Sequence, residues 1–145
     1  MNLVALLSKN INPYELIRSY ETKNCDLSLS GAQSLFIGYM RKTNDKRDDV
    51  SSMTLEFYPE MTQGYLDNLA KIVKEKNNLD NVLIVHRIGN VKIGDCLVIV
   101  ACWSKHRKEC IDGVKYILED LKHNAPFWKK EYYSDESSKW VEKNT

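Results

Sequence analysis

Asn81-Val82-Leu83-Ile84-Val85-His86-Arg87-Ile88, followed by Gly89-Asn90-Val91-Lys92-Ile93-Gly94 and then Cys96-Leu97-Val98-Ile99-Val100-Ala101-Cys102-Trp103, is the stretch that decides the fold. Two β-branched runs flank a short glycine-bounded connection, a pattern that favours antiparallel pairing of the runs. Downstream, Cys110, Val114, Ile117, Leu118 and Leu121 recur at helical spacing and predict an amphipathic helix. Upstream, Pro59 opens another helix, in which Met61, Tyr65, Leu69, Ile72 and Val73 share a face. Before it, Met53, Leu55 and Phe57 alternate with Thr54, Glu56 and Tyr58, the period-two pattern of a half-buried strand.

The rest of the chain extends this reading in both directions. Leu3 to Leu7 is too short for a helix and reads as a first strand. Asn12 as cap, Pro13 in the first turn and Glu15 behind it mark a helix running to about Thr22. Ser30 to Met40 reads as a strand, with Gly31 and Gly38 permitting bends or close backbone approach. The polar run Lys42 to Ser51 predicts a mobile loop. Phe127 to Tyr133 and Lys139 to Glu142 bracket Ser134-Asp135-Glu136-Ser137-Ser138 as a closing hairpin. The predicted order is βα-ββα-ββα-ββ, an α+β domain. With no repeat and no linker, residues 1–145 read as one domain.

Composition narrows the function classes. The formal net charge of +1 over 145 residues argues against nucleic-acid binding by bulk electrostatics, so any anion site must come from local clustering. Cys25, Cys96, Cys102 and Cys110 contain no CxxC pair and no zinc spacing, and three lie in apolar-periodic segments where cysteine acts as a small hydrophobe. No stretch reaches the length of a membrane span. A cytoplasmic, reducing location is expected. His86, His106 and His123 lie on separate elements, so no metal site is expected, and no cofactor motif is present: neither a Walker loop nor GxGxxG occurs. Ser104, His106 and Asp112 lack the GxSxG frame of a hydrolase.

Local clusters do carry chemistry. Leu121-Lys122-His123-Asn124-Ala125-Pro126-Phe127-Trp128-Lys129-Lys130-Glu131 sets Lys122 and Lys129 either side of a proline stop, with two aromatics between them. Lysine pKa values move readily on desolvation, so such a pair suits a base, a nucleophile or an anion clamp. The plain alternative is a surface lysine pair around a buried Phe-Trp plug. His106-Arg107 opens the third helix, where free N–H groups favour phosphate or carboxylate. Cations there are unfavourable unless an anion offsets them. Arg41 closes Phe36-Ile37-Gly38-Tyr39-Met40-Arg41 and can reach an anion at the strand end. Glu56 and Glu131 are strand carboxylates that can simply pair with nearby cations.

These residues also resemble a known family. Gly31-Ala32, Phe36 to Arg41 and Leu55-Glu56-Phe57-Tyr58-Pro59-Glu60-Met61 look like the first half of the molybdopterin synthase catalytic (large) subunit. His86-Arg87-Ile88-Gly89, Ile93-Gly94, Ser104-Lys105-His106-Arg107 and Leu121 through Glu131, closing at Trp140, look like the second half. The likeness implies an α/β hammerhead with additional antiparallel sheet. It implies a sulfur transferase converting cyclic pyranopterin monophosphate, a small pterin, to molybdopterin by inserting two dithiolene sulfurs. The sulfur would arrive as a thiocarboxylate on the Gly-Gly C-terminus of a ubiquitin-like small subunit, within a heterotetramer built on a homodimer of large subunits. Lys122 would be the leading catalytic group, as electrostatic stabiliser or proton-transfer group, with Lys129 its catalytic partner. Tyr39, Met40, Arg41, His106, Arg107, Lys130 and Glu131 would bind substrate with them. The expectation is that all these groups meet around one anion-accepting cavity. A module that merely captures the partner's tail, without catalysis, is the competing reading.

Overall fold

The computed structural model describes residues 2–141. In chain order it contains β1 (Asn2–Leu7), α1 (Pro13–Asn24), β2 (Ala32–Tyr39), β3 (Val50–Phe57), α2 (Pro59–Lys76) and β4 (Asn81–Arg87). Then follow β5 (Gly89–Lys92), β6 (Cys96–Ser104), α3 (Arg107–Asn124), β7 (Phe127–Tyr133) and β8 (Ser138–Trp140). The architecture is α+β, with two four-stranded sheets.

The deciding stretch behaves as its pattern requires, with one addition. β4 and β6 pair antiparallel from Asn81↔Trp103 to His86↔Val98. The connection, however, is itself a strand: β5 leaves the first sheet and pairs with β3 in the second. Its entry and exit glycines, Gly89 and Gly94, have φ of 73° and 87°, the left-handed region that glycine enters without steric cost. Sequence patterning missed this strand because four residues carry too little alternation to read.

The first sheet runs β1-β4-β6-β2, with β1 parallel to β4 and the other pairs antiparallel. Both its faces are covered. Ile17 and Tyr20 of α1 pack with Leu83, Val85, Ile99, Ala101 and Trp103 on one face. On the other, Val82, Ile84, Val100 and Cys102 pack with Leu66, Val73, Cys110 and Ile117 of α2 and α3. This explains why every residue of β4 is buried, the unbroken apolar run of a central strand. The second sheet, β5-β3-β7-β8, contributes Met53, Leu55, Val91, Phe127 and Tyr133 to the same core as α2 and α3.

Two sequence expectations change. The buried stripe of α2 is Thr62, Leu66, Leu69, Ala70 and Val73, whereas Met61 and Ile72 are exposed. The stripe is rotated by about one residue, and the buried Thr62 hydroxyl is satisfied by donating to the Pro126 carbonyl at 3.2 Å. Of the Lys42 to Ser51 stretch expected to be a mobile loop, Val50 and Ser51 begin β3, and residues 42–49 are tied down by side-chain bonds to the closing hairpin. That hairpin is present as predicted, although Glu142 lies outside the described residues.

Candidate active site

The first sheet ends at Tyr39-Met40-Arg41, where β2 gives way to the 42–49 loop. Met40 is held at this point by backbone bonds to Asp95 and Gly94, 2.9 and 2.7 Å. The loop crosses to the second sheet and encloses a cavity of about 680 Å³ with β7 and β8. Tyr39, Met40 and Arg41 line it from the first sheet, Lys129, Glu131 and Tyr133 from β7, and Lys139 and Trp140 from β8. Thus five of the nine residues singled out from sequence (Tyr39, Met40, Arg41, Lys129 and Glu131) share one cavity.

Strand alternation dictates which β7 residues reach it. Phe127, Lys129, Glu131 and Tyr133 fall on one face. Lys130 falls on the other, its ammonium 5.6 Å from the Tyr132 ring and 5.5 Å from the Trp140 ring. The expected Phe-Trp plug divides in the same way. Phe127 is buried and stacks on His86 at 4.1 Å, whereas Trp128 is half-exposed and meets Tyr58 edge-on at 5.3 Å.

Burial pushes the Lys129 ammonium below the ordinary lysine range, and the Glu131 carboxylate partly offsets this. Beneath it, His86 is pushed down to about 4, first by burial and further by the Lys129 charge, while its bond to the Arg87 carbonyl works the other way. Neutral His86 therefore donates its Nδ1–H to that carbonyl at 2.8 Å, which fixes the tautomer. Arg87 is itself buried, bonding Asp95 at 3.2 Å and the Asn90 carbonyl at 3.0 Å. The His86-Arg87 pair is thus a buried brace at the end of β4, with His86 close enough to feel the Lys129 charge.

The remaining expected residues lie elsewhere in this chain. His106 caps α3 and Arg107 is its first residue; both are exposed. They follow Ser104, which pairs with Ala32 at the start of β2, whereas the cavity sits at Tyr39, the other end of that strand. Seven extended residues separate the two ends by about 23 Å. Lys122 lies exposed in the last turn of α3, outside the cavity lining. Convergence of every cation on one cavity therefore does not occur within a single chain: antiparallel β2 and β6 put strand end and helix start at opposite ends.

Sequence reading missed Asn44 and Arg47. The Arg47 guanidinium grips Asp49 through two bonds of 2.8 and 2.7 Å, reaches Asp135 at 3.1 Å, and lies 3.9 Å above the Tyr133 ring. Asp49 is held well below the usual carboxylate range, chiefly by Arg47 and then by the Ser134 hydroxyl. A signal was present for Asn44 alone: asparagine in a polar run favours a turn closed by its side chain on the backbone two residues on.

The sequence profile of the MoaE protein family matches residues 8–124. The molybdopterin synthase catalytic subunit of Pseudomonas aeruginosa is 41% identical over 112 residues, covering 77% of this chain and 73% of that protein. The Haemophilus influenzae subunit of the same name is 37% identical over 112 residues, with the same shares, 77% and 73%. Among solved structures, the Burkholderia ambifaria molybdopterin biosynthesis MoaE protein superimposes with a TM-score of 0.80 at 28% identity, covering 100% of this chain and 92% of that one. Molybdopterin synthase from Staphylococcus aureus gives 0.80 at 28% identity, covering 94% of each chain. The chain therefore belongs to the MoaE protein family, alongside the catalytic subunits of molybdopterin synthase.

Proposed function

We propose that this chain converts cyclic pyranopterin monophosphate to molybdopterin in molybdenum cofactor biosynthesis, and that the cavity between the 42–49 loop, β7 and β8 is where sulfur is transferred. The observation that carries this reading is Lys129, desolvated in a cavity that also holds Arg41 and Glu131. The sulfur donor is a ubiquitin-like small subunit whose Gly-Gly tail ends in a thiocarboxylate. Its anionic sulfur and the oxygen that gains charge on acyl transfer both need a fixed cation in a site shielded from water. Lys129 supplies that cation and, with its pKa lowered, exchanges a proton more readily than a solvated lysine. Arg41 binds the substrate phosphate, and Tyr39 and Met40 line the approach. Lys122, exposed in the last turn of α3, and Lys130, beside the Trp140 ring, act on the incoming tail.

His106 and Arg107 enter through the homodimer of large subunits. Within one chain they lie a strand's length from Lys129, so their anion-binding role requires a second copy. Free cysteines at 25, 96, 102 and 110 fit a cytoplasmic location, and no helix among the described residues is long and apolar enough to cross a membrane.

The test mixes the chain with thiocarboxylated small subunit and pterin precursor and follows dithiolene formation. Lys129→Ala is expected to slow product formation roughly 100-fold or more while leaving small-subunit binding intact. Near-normal turnover would remove Lys129 from the mechanism. Loss of turnover with the tail still bound excludes a purely tail-capturing module.

A further inference from the structure

Asn44 sits in the loop that sequence reading left as mobile, yet its side chain is fixed from both ends. Its Oδ1 accepts the backbone N–H groups of Lys46 and Arg47, both at 2.8 Å. That closed turn settles which end of the amide is oxygen. The NH2 group consequently faces the cavity, where it donates to Glu131 Oε1 at 3.2 Å. Glu131 is the carboxylate that opposes the desolvation of Lys129.

We infer that Asn44 is a positioning residue of this site: its amide holds the Glu131 carboxylate beside Lys129 and thereby sets how readily the lysine gains and loses its proton. This rests on the functional reading of the cavity given above. The Arg47 clasp makes the arrangement specific, because it anchors the loop independently of Asn44. Arg47 bonds Asp135 and Ser137 at 3.1 and 3.3 Å, and Ser134 bonds Asp49 at 2.7 Å. Removing the Asn44 amide therefore frees Glu131 and gives up the two turn bonds to Lys46 and Arg47, while the clasp keeps the loop on the hairpin.

Other charges also face Lys129: Arg41, Asp45, Lys46 and Arg47 across the cavity, Lys139 from β8, and His86 below, neutral above about pH 4. The clasp through Asp49 and Asp135 holds Arg47 in place when Asn44 is substituted, and Arg41, Lys139 and His86 lie outside the Asn44 turn, so the direction of change is carried chiefly by Glu131. With Asn44→Ala, the carboxylate turns towards solvent, the ammonium loses support, and Lys129 releases its proton at lower pH. With Asn44→Asp, the donated bond to Glu131 gives way to carboxylate repulsion, but the new carboxylate brings its own negative charge to the cavity beside the ammonium, and release moves to higher pH. The same directions hold whether catalysis uses the charged or the neutral amine, because the limb follows the proton.

The experiment is a pH–rate profile of dithiolene formation by the reconstituted complex for wild type, Asn44→Ala, Asn44→Asp and Lys129→Ala. The lysine-dependent limb is expected to move down by a few tenths to about one unit in Asn44→Ala and up in Asn44→Asp. If both variants lose rate with an unmoved limb, or shift it the same way, Asn44 has no positioning role. A fully active Lys129→Ala would instead overturn the reading of the cavity, and this inference with it. An inactive Lys129→Ala beside wild-type profiles for both Asn44 variants would overturn this inference alone.

Discussion

His86 shows how one side chain joins stability to the site. It is buried against Phe127 with its tautomer fixed by the Arg87 carbonyl, and its folded-state pKa is depressed from 6.5 to about 4. A depressed histidine favours the unfolded state as acidity rises. The unfolded chain takes up its proton near pH 6.5, while the folded chain resists until about pH 4. Stability is therefore fully present above about pH 6.5 and falls through that window, by an amount on the order of 3 kcal/mol. Denaturant melts from pH 7.5 down to pH 4.5 are expected to show this loss, and His86→Phe, which keeps a ring on Phe127, a flatter profile. Identical slopes for the two proteins would mean that His86 is already solvated in the fold.

Elements, rather than single side chains, decide where the cations go. Gly31 lies where β2 passes the turn between β6 and α3; a Cβ there would stand 2.3 Å from the Lys105 carbonyl oxygen. That oxygen is backbone and cannot swing aside, so the glycine is a condition for placing His106 and Arg107 next to the start of β2. Gly31→Ala is expected to destabilise the fold by about 1–3 kcal/mol, the usual cost of overpacking, and to lower the midpoint of thermal unfolding. An unchanged midpoint would show that the β2–α3 junction can open without cost. Gly113 is different in kind. Its Cβ would first meet the flexible end of Leu79 at 2.9 Å, which can yield.

At the scale of the molecule, His106–Arg107 follow the strand end paired with Ala32 while the cavity sits at Tyr39, the other end of β2, about 23 Å along the strand, and this turns a question of chemistry into one of assembly. If one chain's His106–Arg107 serves another chain's Lys129 cavity, two different inactive variants complement each other. Arg107→Ala alone is expected to weaken binding of the phosphate-bearing precursor. Mixing Arg107→Ala with Lys129→Ala under subunit exchange is expected to restore up to about a quarter of wild-type activity, since random pairing leaves some sites with both groups intact. No recovery, with mixed dimers demonstrated by mass, would place each site within a single chain.

The sequence by itself determined most of the elements, the short β5 excepted. Alternation gave β3, the β-branched runs gave β4 and β6, and helical periodicity gave α3, because each follows from the local repeat of side-chain direction. The motif order from Gly31 to Trp140 likewise carried the family, and Lys129, Glu131 and Arg41 stood out as candidate groups before any coordinates. Only the tertiary structure decided which of them meet. Strand alternation turned Lys130 away, the β2–β6 pairing sent His106 and Arg107 to the far end, and the Arg47 clasp folded Asn44 over Glu131. Those outcomes depend on pairings between residues as many as 90 positions apart, and no local pattern encodes such contacts.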